Sequence, residues 1–273
     1  MYIRFLRRLA LTLCALYLLV AFNCPAFAAE EVRVVVNGRP LTGDAVPFIQ
    51  DGASYVPLAA FARTMGQCAV TWDGAAAHVS AQGLSLTAIP GAQWIQANDR
   101  YLYVPGGVRL VEGRTMVPLR TLAQIYGLEV TWNAADSTAS ASGSVELLEP
   151  GSSYYDPQSL YWLSRIISTE SRGEPLAGQI AVGNVVLNRV ASPLYPDTIY
   201  QVIFQPGQFE PVENGTIYQE PTDTSVVAAK LCLEGAQVVG ECMYFFAPAL
   251  SAGSWIVSHR TYYTTIGNHQ FYL

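Results

Sequence analysis

Ser168-Thr169-Glu170-Ser171-Arg172-Gly173-Glu174-Pro175 carries two carboxylates four residues apart, where one helical pattern stops and the next starts. Upstream, Leu163, Ile166, Ile167 and Glu170 recur at i, i+3, i+4 and i+7, so Glu170 takes a slot in the stripe where another apolar residue would belong. A carboxylate aimed at apolar surroundings is costly and is kept when it is paired, hydrogen-bonded or used. Desolvation raises its pKa, and a carboxyl group still protonated near neutral pH is what a general acid needs to be. Gly173 ends the first pattern and Pro175 opens the second, so Glu170 and Glu174 do not share one continuous helical face. Glu174, at a helix entry, meets free amides and the positive end of the macrodipole, a structural role that outweighs a catalytic one. It counts as a substrate contact only if its side chain turns into a groove.

On the N-terminal side, Asp156 reads as an N-cap and Pro157 as the first helical residue. On the C-terminal side, Leu176 to Val190 is apolar nearly all round and reads as the central buried helix, with Asn184, Asn188 and Arg189 as polar exceptions. Asn188 and Arg189 are expected to bind carbonyls near the end of that helix. A turn-rich segment follows, containing Phe204-Gln205-Pro206-Gly207-Gln208-Phe209-Glu210. Pro-Gly demands a tight turn, which would project Gln208 and Phe209. An aromatic beside an amide suits a sugar site, because the ring stacks on the apolar face of a pyranose while the amide bonds its hydroxyl or acetamido groups. The alternative is an ordinary loop with a tucked Phe. Val226 to Leu233 then reads as a helix closed by Gly235, and Met243 to Ala247 as a strand bearing Tyr244, Phe245 and Phe246. The end holds Trp255, His259 and Ile266-Gly267-Asn268-His269-Gln270-Phe271.

The half before this domain repeats itself. Asp51 to Trp72, DGASYVPLAAFARTMGQCAVTW, returns as EGRTMVPLRTLAQIYGLEVTW between Glu112 and Trp132, one residue shorter after the glycine. Each copy reads as a turn, a strand ending in Val-Pro-Leu, a helix, a glycine cap (Gly66, Gly127) and a strand ending in Trp. Pro57 and Pro118 are placed at helix position N1. Leu58, Phe61, Ala62 and Met65 share one helical face, as do Leu119, Leu122, Ala123 and Tyr126. Trp72, Trp94 and Trp132 are expected as core aromatics in preference to sugar platforms. The expected class is α+β: a signal peptide at 1–28, a two-repeat module at 29–143, a linker at 144–154 and a mainly helical domain with a small sheet at 155–273.

The start of the chain carries Arg4, Arg7 and Arg8, an apolar run from Leu9 to Phe22, and Ala26-Phe27-Ala28, the pattern of a cleaved export signal. The run is shorter than the roughly 20 residues that span a bilayer. Loss of those three arginines takes the formal net charge from −6 to −9. Without a basic patch, nucleic acid is excluded as a partner, and capture of anionic wall polymers has to come from shaped sites. Cys68, Cys232 and Cys242 remain after cleavage. Either Cys232 and Cys242 pair across their short Gly-containing link, or all three are small buried thiols. His78, His259 and His269 are the only histidines, and neither a zinc spacing nor a nucleophile accompanies them, so no metal and no cofactor is expected.

Two resemblances emerge from these motifs. EGRTMVPLR followed by a helix and VTW resembles the extracellular module related to the copper amine oxidase N-terminal domain, with a degenerate first copy in which Ala53, Ser54 and Ala59 replace Arg, Thr and Arg. That resemblance covers Val32 to Gly143, implies a wall- or substrate-associated accessory module, and implies no copper. STESRGEPLAGQIAVGNVVLNRV, VIFQPGQF, MYFFAP and IGNHQF, in that order, resemble the SleB-type cell wall hydrolases over Asp156 to Phe271. This second resemblance implies a compact lysozyme-like domain, one essential glutamate at Glu170, and peptidoglycan glycan strands as partner. It also implies a lytic transglycosylase, with Gln208, Phe209, Tyr244, Phe245 and His269, and Glu174 if it turns inward, along the groove. A secreted, wall- or spore-associated protein follows. A hydrolytic muramidase and a non-catalytic wall-binding protein are the rival readings. Family members often carry a peptidoglycan-binding module ahead of the catalytic part, a place taken here by the repeats.

Overall fold

A computed structural model describes residues 30–43 and 45–273, so the expected signal peptide lies outside the described residues. The first copy of the repeat forms strand Ala53–Pro57, helix Leu58–Met65 and strand Ala69–Trp72. The second forms strand Arg114–Pro118, helix Leu119–Ile125 and strand Glu129–Asn133. Asp51-Gly52 and Glu112-Gly113 all have positive φ, the backbone that a two-residue hairpin turn needs. The first strands of the two copies pair with each other antiparallel: Val56 faces Val117, Tyr55 faces Pro118 and Pro57 faces Met116. Val56 and Val117 are equivalent positions, and exchanging the copies interchanges the two flanking pairs. A local two-fold axis therefore passes between the valines. Leu58 and Phe61 of one helix and Leu119 and Leu122 of the other are buried in one shared core.

Three expectations for this half are corrected. Pro57 and Pro118 sit one position earlier than N1, as the capping residues themselves, because strand pairing continues through them and holds ψ at 117° and 132°. Trp72 and Trp132 are not core residues: they are 49% and 47% exposed, since their strands form the edges of their sheets. Trp94 is partly buried, and it packs against the helical domain. Finally, the segment 144–154 is fastened along its length. Glu146 and Leu148 donate to the Tyr126 and Ile125 carbonyls, and Gly151 donates to Asn98 before the short helix Gly151–Tyr154.

In the second half, Asp156 caps helix Pro157–Ser171 by accepting from the Ser159 amide at 2.8 Å. Helix Leu176–Ala191 is buried over most of its length and runs through the middle of the domain. Helix Asp223–Leu233 packs on both, and strands Tyr244–Phe246, Tyr262–Ile266 and His269–Tyr272 form a sheet with the last strand at its centre. Arg189 Nε donates to Met243 O, and Asn188 Nδ2 donates to Gly240 O and Cys242 O. These carbonyls belong to the segment leading into the sheet. Cys232 and Cys242 are free and buried, so the bridge that their spacing allowed does not form. Burial pushes both thiols up, Cys242 to about 11.

The two halves are joined by a buried ion pair. Arg100 Nε and Nη2 donate to Glu234 Oε1 and Oε2 at 2.7 and 2.8 Å, and the Tyr155 hydroxyl donates to Oε1 at 2.8 Å. The Arg100 guanidinium also lies 3.4 Å above the Tyr154 ring. Removing one partner of such a pair leaves a stranded charge and typically costs about 3–5 kcal/mol. Glu234→Ala is therefore expected to split the calorimetric unfolding of the chain into two transitions, whereas wild type unfolds in one; a single unshifted transition in the variant would mean that the halves are not held this way.

Candidate active site

Helix Pro157–Ser171 brings Glu170 to its last turn. The preceding apolar residues Leu163, Ile166 and Ile167 are fully buried, and Glu170 itself is partly buried at the end of their stripe. Burial is the main reason its carboxyl is pushed up from 4.5 to about 7; the negative charge of Glu210 adds to the effect. Glu210 begins the short helix Glu210–Glu213, directly after the Pro206-Gly207 turn. It is the second carboxylate of the site, and sequence reasoning did not single it out. The available signal was its place at the end of the turn already marked as sugar-contacting.

Glu174 is used quite differently. Its Oε1 accepts from Asn268 Nδ2 at 2.9 Å and its Oε2 accepts from the Asn268 amide at 2.8 Å. Burial alone would raise its pKa, but these two hydrogen bonds and the neighbouring His269 bring it below the ordinary carboxylate value. A side chain at Gly267 would run into this carboxylate, and Gly267 also has φ +58°, so the hairpin turn admits only glycine at both counts. Glu174 thus fastens the last hairpin to the start of the central helix. Its side chain is only 7% exposed.

The other expected residues fall into two neighbourhoods. Gln208 is exposed and its Oε1 accepts from Arg189 Nη1 at 3.3 Å. Arg189 also lies 5.4 Å from the Phe209 ring centre and 5.8 Å from that of Tyr244, whose hydroxyl receives the Tyr195 hydroxyl at 3.0 Å. Phe209 is 4% exposed, so the turn projects Gln208 and tucks Phe209 into the core. An apolar ring beside a turn gains more by filling that core than by facing solvent. In the second neighbourhood, Phe245 lies edge-on to His269 at 5.4 Å and stacks on Phe271 at 5.9 Å. His269 is buried, and its Nδ1 stands 3.8 Å from Glu174 Oε1, beyond hydrogen-bond reach. Burial depresses its pKa and Glu174 offsets this in part. Arg189, taken from sequence as a binder of carbonyls alone, also holds Gln208 and packs beside Phe209 and Tyr244.

His259 Nδ1 contacts Ser258 Oγ at 2.8 Å and Trp255 O at 3.0 Å, all within one short helix. Among the described residues no group of His, Cys, Asp and Glu is arranged to hold a metal ion. No helix among them is long and apolar enough to cross a membrane.

Residues 173–272 match the family described as Cell Wall Hydrolase, and residues 35–141 match the copper amine oxidase N-terminal domain. The first match covers the C-terminal part of the chain and the second the repeats ahead of it. Among curated relatives, the spore cortex-lytic enzyme of Bacillus cereus is 37% identical over 117 residues, covering 43% of this chain and 45% of that protein. The spore cortex-lytic enzyme of Bacillus subtilis is 38% identical over 109 residues, covering 40% and 35%. The chain thus spans less than half the length of these relatives. A solved structure, the catalytic domain of the germination-specific lytic transglycosylase SleB from Bacillus anthracis, is 35% identical, with all of that chain and 46% of this one covered, at a TM-score of 0.42. The family match begins three residues after Glu170, so the role of that residue rests on its own geometry.

Replacing Glu210 by Gln removes a negative charge beside Glu170. Carboxyl NMR is expected to report a Glu170 pKa near 7 in wild type and a lower one in Glu210→Gln; an unchanged value would mean that the two groups do not interact. Because the folded-state pKa of Glu170 lies above its ordinary 4.5, its ionisation progressively destabilises the fold as pH rises from 4.5 through about 7. Glu170→Gln should therefore be more stable than wild type at pH 8 by roughly 1–2 kcal/mol, discounted for the part of the side chain left in solvent, with no gain near pH 4. Denaturant midpoints at the two pH values check this.

Proposed function

We propose that the helical domain is a secreted, lysozyme-like lytic transglycosylase. It cleaves the bond from N-acetylmuramic acid to N-acetylglucosamine in the glycan strands of a cell wall or spore cortex. The observation that carries this reading is the partly buried Glu170 carboxyl with its pKa raised to about 7, a group able both to give and to take a proton near neutrality. Glu170 donates its proton to the glycosidic oxygen as the bond to muramyl C1 breaks, and the bonding pair leaves with the glucosamine oxygen. The resulting carboxylate takes the proton of the muramyl C6 hydroxyl as that oxygen attacks C1. The product is a 1,6-anhydro ring, and the acid is regenerated without water being consumed. The Glu210 charge that keeps the proton on Glu170 also favours the positive charge that develops on the ring. Gln208 and Tyr244 contact the glycan, while Phe209, Phe245, His269 and Glu174 hold the floor on which those contacts stand.

Glu210 is also the observation that favours a second reading, a muramidase in which this carboxylate activates water. Mass spectrometry of the released fragments decides between them: anhydro ends are expected, and reducing ends throughout would transfer the assignment to hydrolysis. Glu170→Gln is expected to fold and to lower fragment release from purified walls by at least a thousandfold. Release at the wild-type rate would remove Glu170, and with it this mechanism.

A further inference from the structure

The repeat symmetry builds a pair of concave sites in the N-terminal module. The first, a cavity of about 720 Å³, is lined by Gly52 and Ser54 from one copy and by Arg120, Gln124, Thr131 and Trp132 from the other. The second, about 340 Å³, is lined by Gly113 and Thr115, with Ala59, Arg63, Thr71 and Trp72. Each residue of the first set has its repeat counterpart in the second: Gly52 with Gly113, Ser54 with Thr115, Arg120 with Ala59, Gln124 with Arg63, Thr131 with Thr71, and Trp132 with Trp72. The two sites are therefore the same construction produced twice, each combining the turn of one copy with the helix and edge strand of the other.

We propose that these are two saccharide-binding sites for one glycan strand of N-acetylated amino sugars, the first being the stronger. Each leaves a tryptophan about half exposed on an edge strand, with a threonine hydroxyl next to it in sequence. A flat apolar face beside hydrogen-bonding groups matches a pyranose, which presents C–H groups on its faces and hydroxyls at its rim. The first site sets Asp51 against Arg120, a mixed lining that suits a neutral polar ligand, and the acidity of the chain disfavours capture of an anion by charge. Its volume lies in the range of small-ligand sites. Tyr103 lines this site and packs against the helical domain, whose position is fixed by the Arg100–Glu234 pair three residues away. Sugar held here is thus held at a set place relative to Glu170. Two weak sites on one rigid module reinforce each other when a single strand spans them, and such linkage can raise avidity by about 10²–10⁴. The choice of amino sugar rests on the proposed function; the sites themselves rest on their own geometry.

The test is co-sedimentation with purified sacculi and binding to a soluble oligomer of N-acetylglucosamine, a neutral strand of N-acetylated amino sugars without stem peptides. Both use the full chain carrying Glu170→Gln, so that the probe survives. Trp132→Ala is expected to weaken binding at least tenfold, Trp72→Ala by less, and the double variant by about a hundredfold, with unchanged circular dichroism and thermal unfolding. Trp132→Phe, which keeps a flat ring, should restore part of the loss. Undiminished binding by the double variant would overturn the proposal, as would absence of wild-type binding to the neutral, peptide-free oligomer. Fragment release by the chain with native Glu170 is scored separately. Tryptophan-dependent binding without any release would support these sites and remove the catalytic reading, and release with tryptophan-independent binding would do the reverse.

Discussion

The helical domain depends on what four polar side chains do on an otherwise apolar, buried helix. Gln179, Asn184 and Arg189 are buried and Asn188 is half-buried, and none can be left unpaired there, because a buried polar group without a partner costs on the order of 1–3 kcal/mol. Each finds its partner on a different segment. Gln179 accepts from the Ser225 hydroxyl and donates to the Glu174 carbonyl. Asn184 donates to Ala236 O and accepts from the Val238 amide. Asn188 and Arg189 hold the carbonyls of Gly240, Cys242 and Met243. The chain from helix Asp223–Leu233 to the sheet is thereby threaded along one helix, and the sheet that carries Tyr244, Phe245 and His269 is placed by that threading. The need to satisfy these groups determines where the site is.

The same logic operates between the halves. Glu234 follows the last residue of helix Asp223–Leu233, which packs on the helix bearing Glu170. A buried carboxylate there would be intolerable alone, and Arg100 from the repeat module supplies the charge and the fork of donors that it needs. Lys230 reaches the Asp99 carbonyl at 3.2 Å from the same helix. The repeat module is consequently a structural neighbour of the helix that carries Glu170, and the segment expected as a linker serves as part of the joint.

Within the site, two carboxylates that are close in sequence diverge in chemistry because their surroundings do. Glu170 loses solvent and gains a like charge, and keeps its proton. Glu174 loses solvent too, but gains two donors from Asn268, and gives its proton up. The distinction follows from what each oxygen is offered, a matter that helix position alone does not settle.

Features determined by near neighbours were legible in the chain itself. The stripe that sets Glu170 on the apolar face, the Asp156 cap, the helix break between the two glutamates, the buried central helix and the doubling of the N-terminal module all come from spacings of a few residues or from self-similarity. Other features were settled by contacts between residues far apart in the chain. Phe209 turned inward because a core was there to receive it, Glu210 became the second carboxylate because its short helix packs near Glu170, and Trp72 and Trp132 stayed outside because their strands became sheet edges. Arg100 and Glu234 meet across 134 residues. Helical periodicity and turn chemistry act over one or two turns of chain, whereas burial and charge pairing are decided by whichever segments the folded chain brings together.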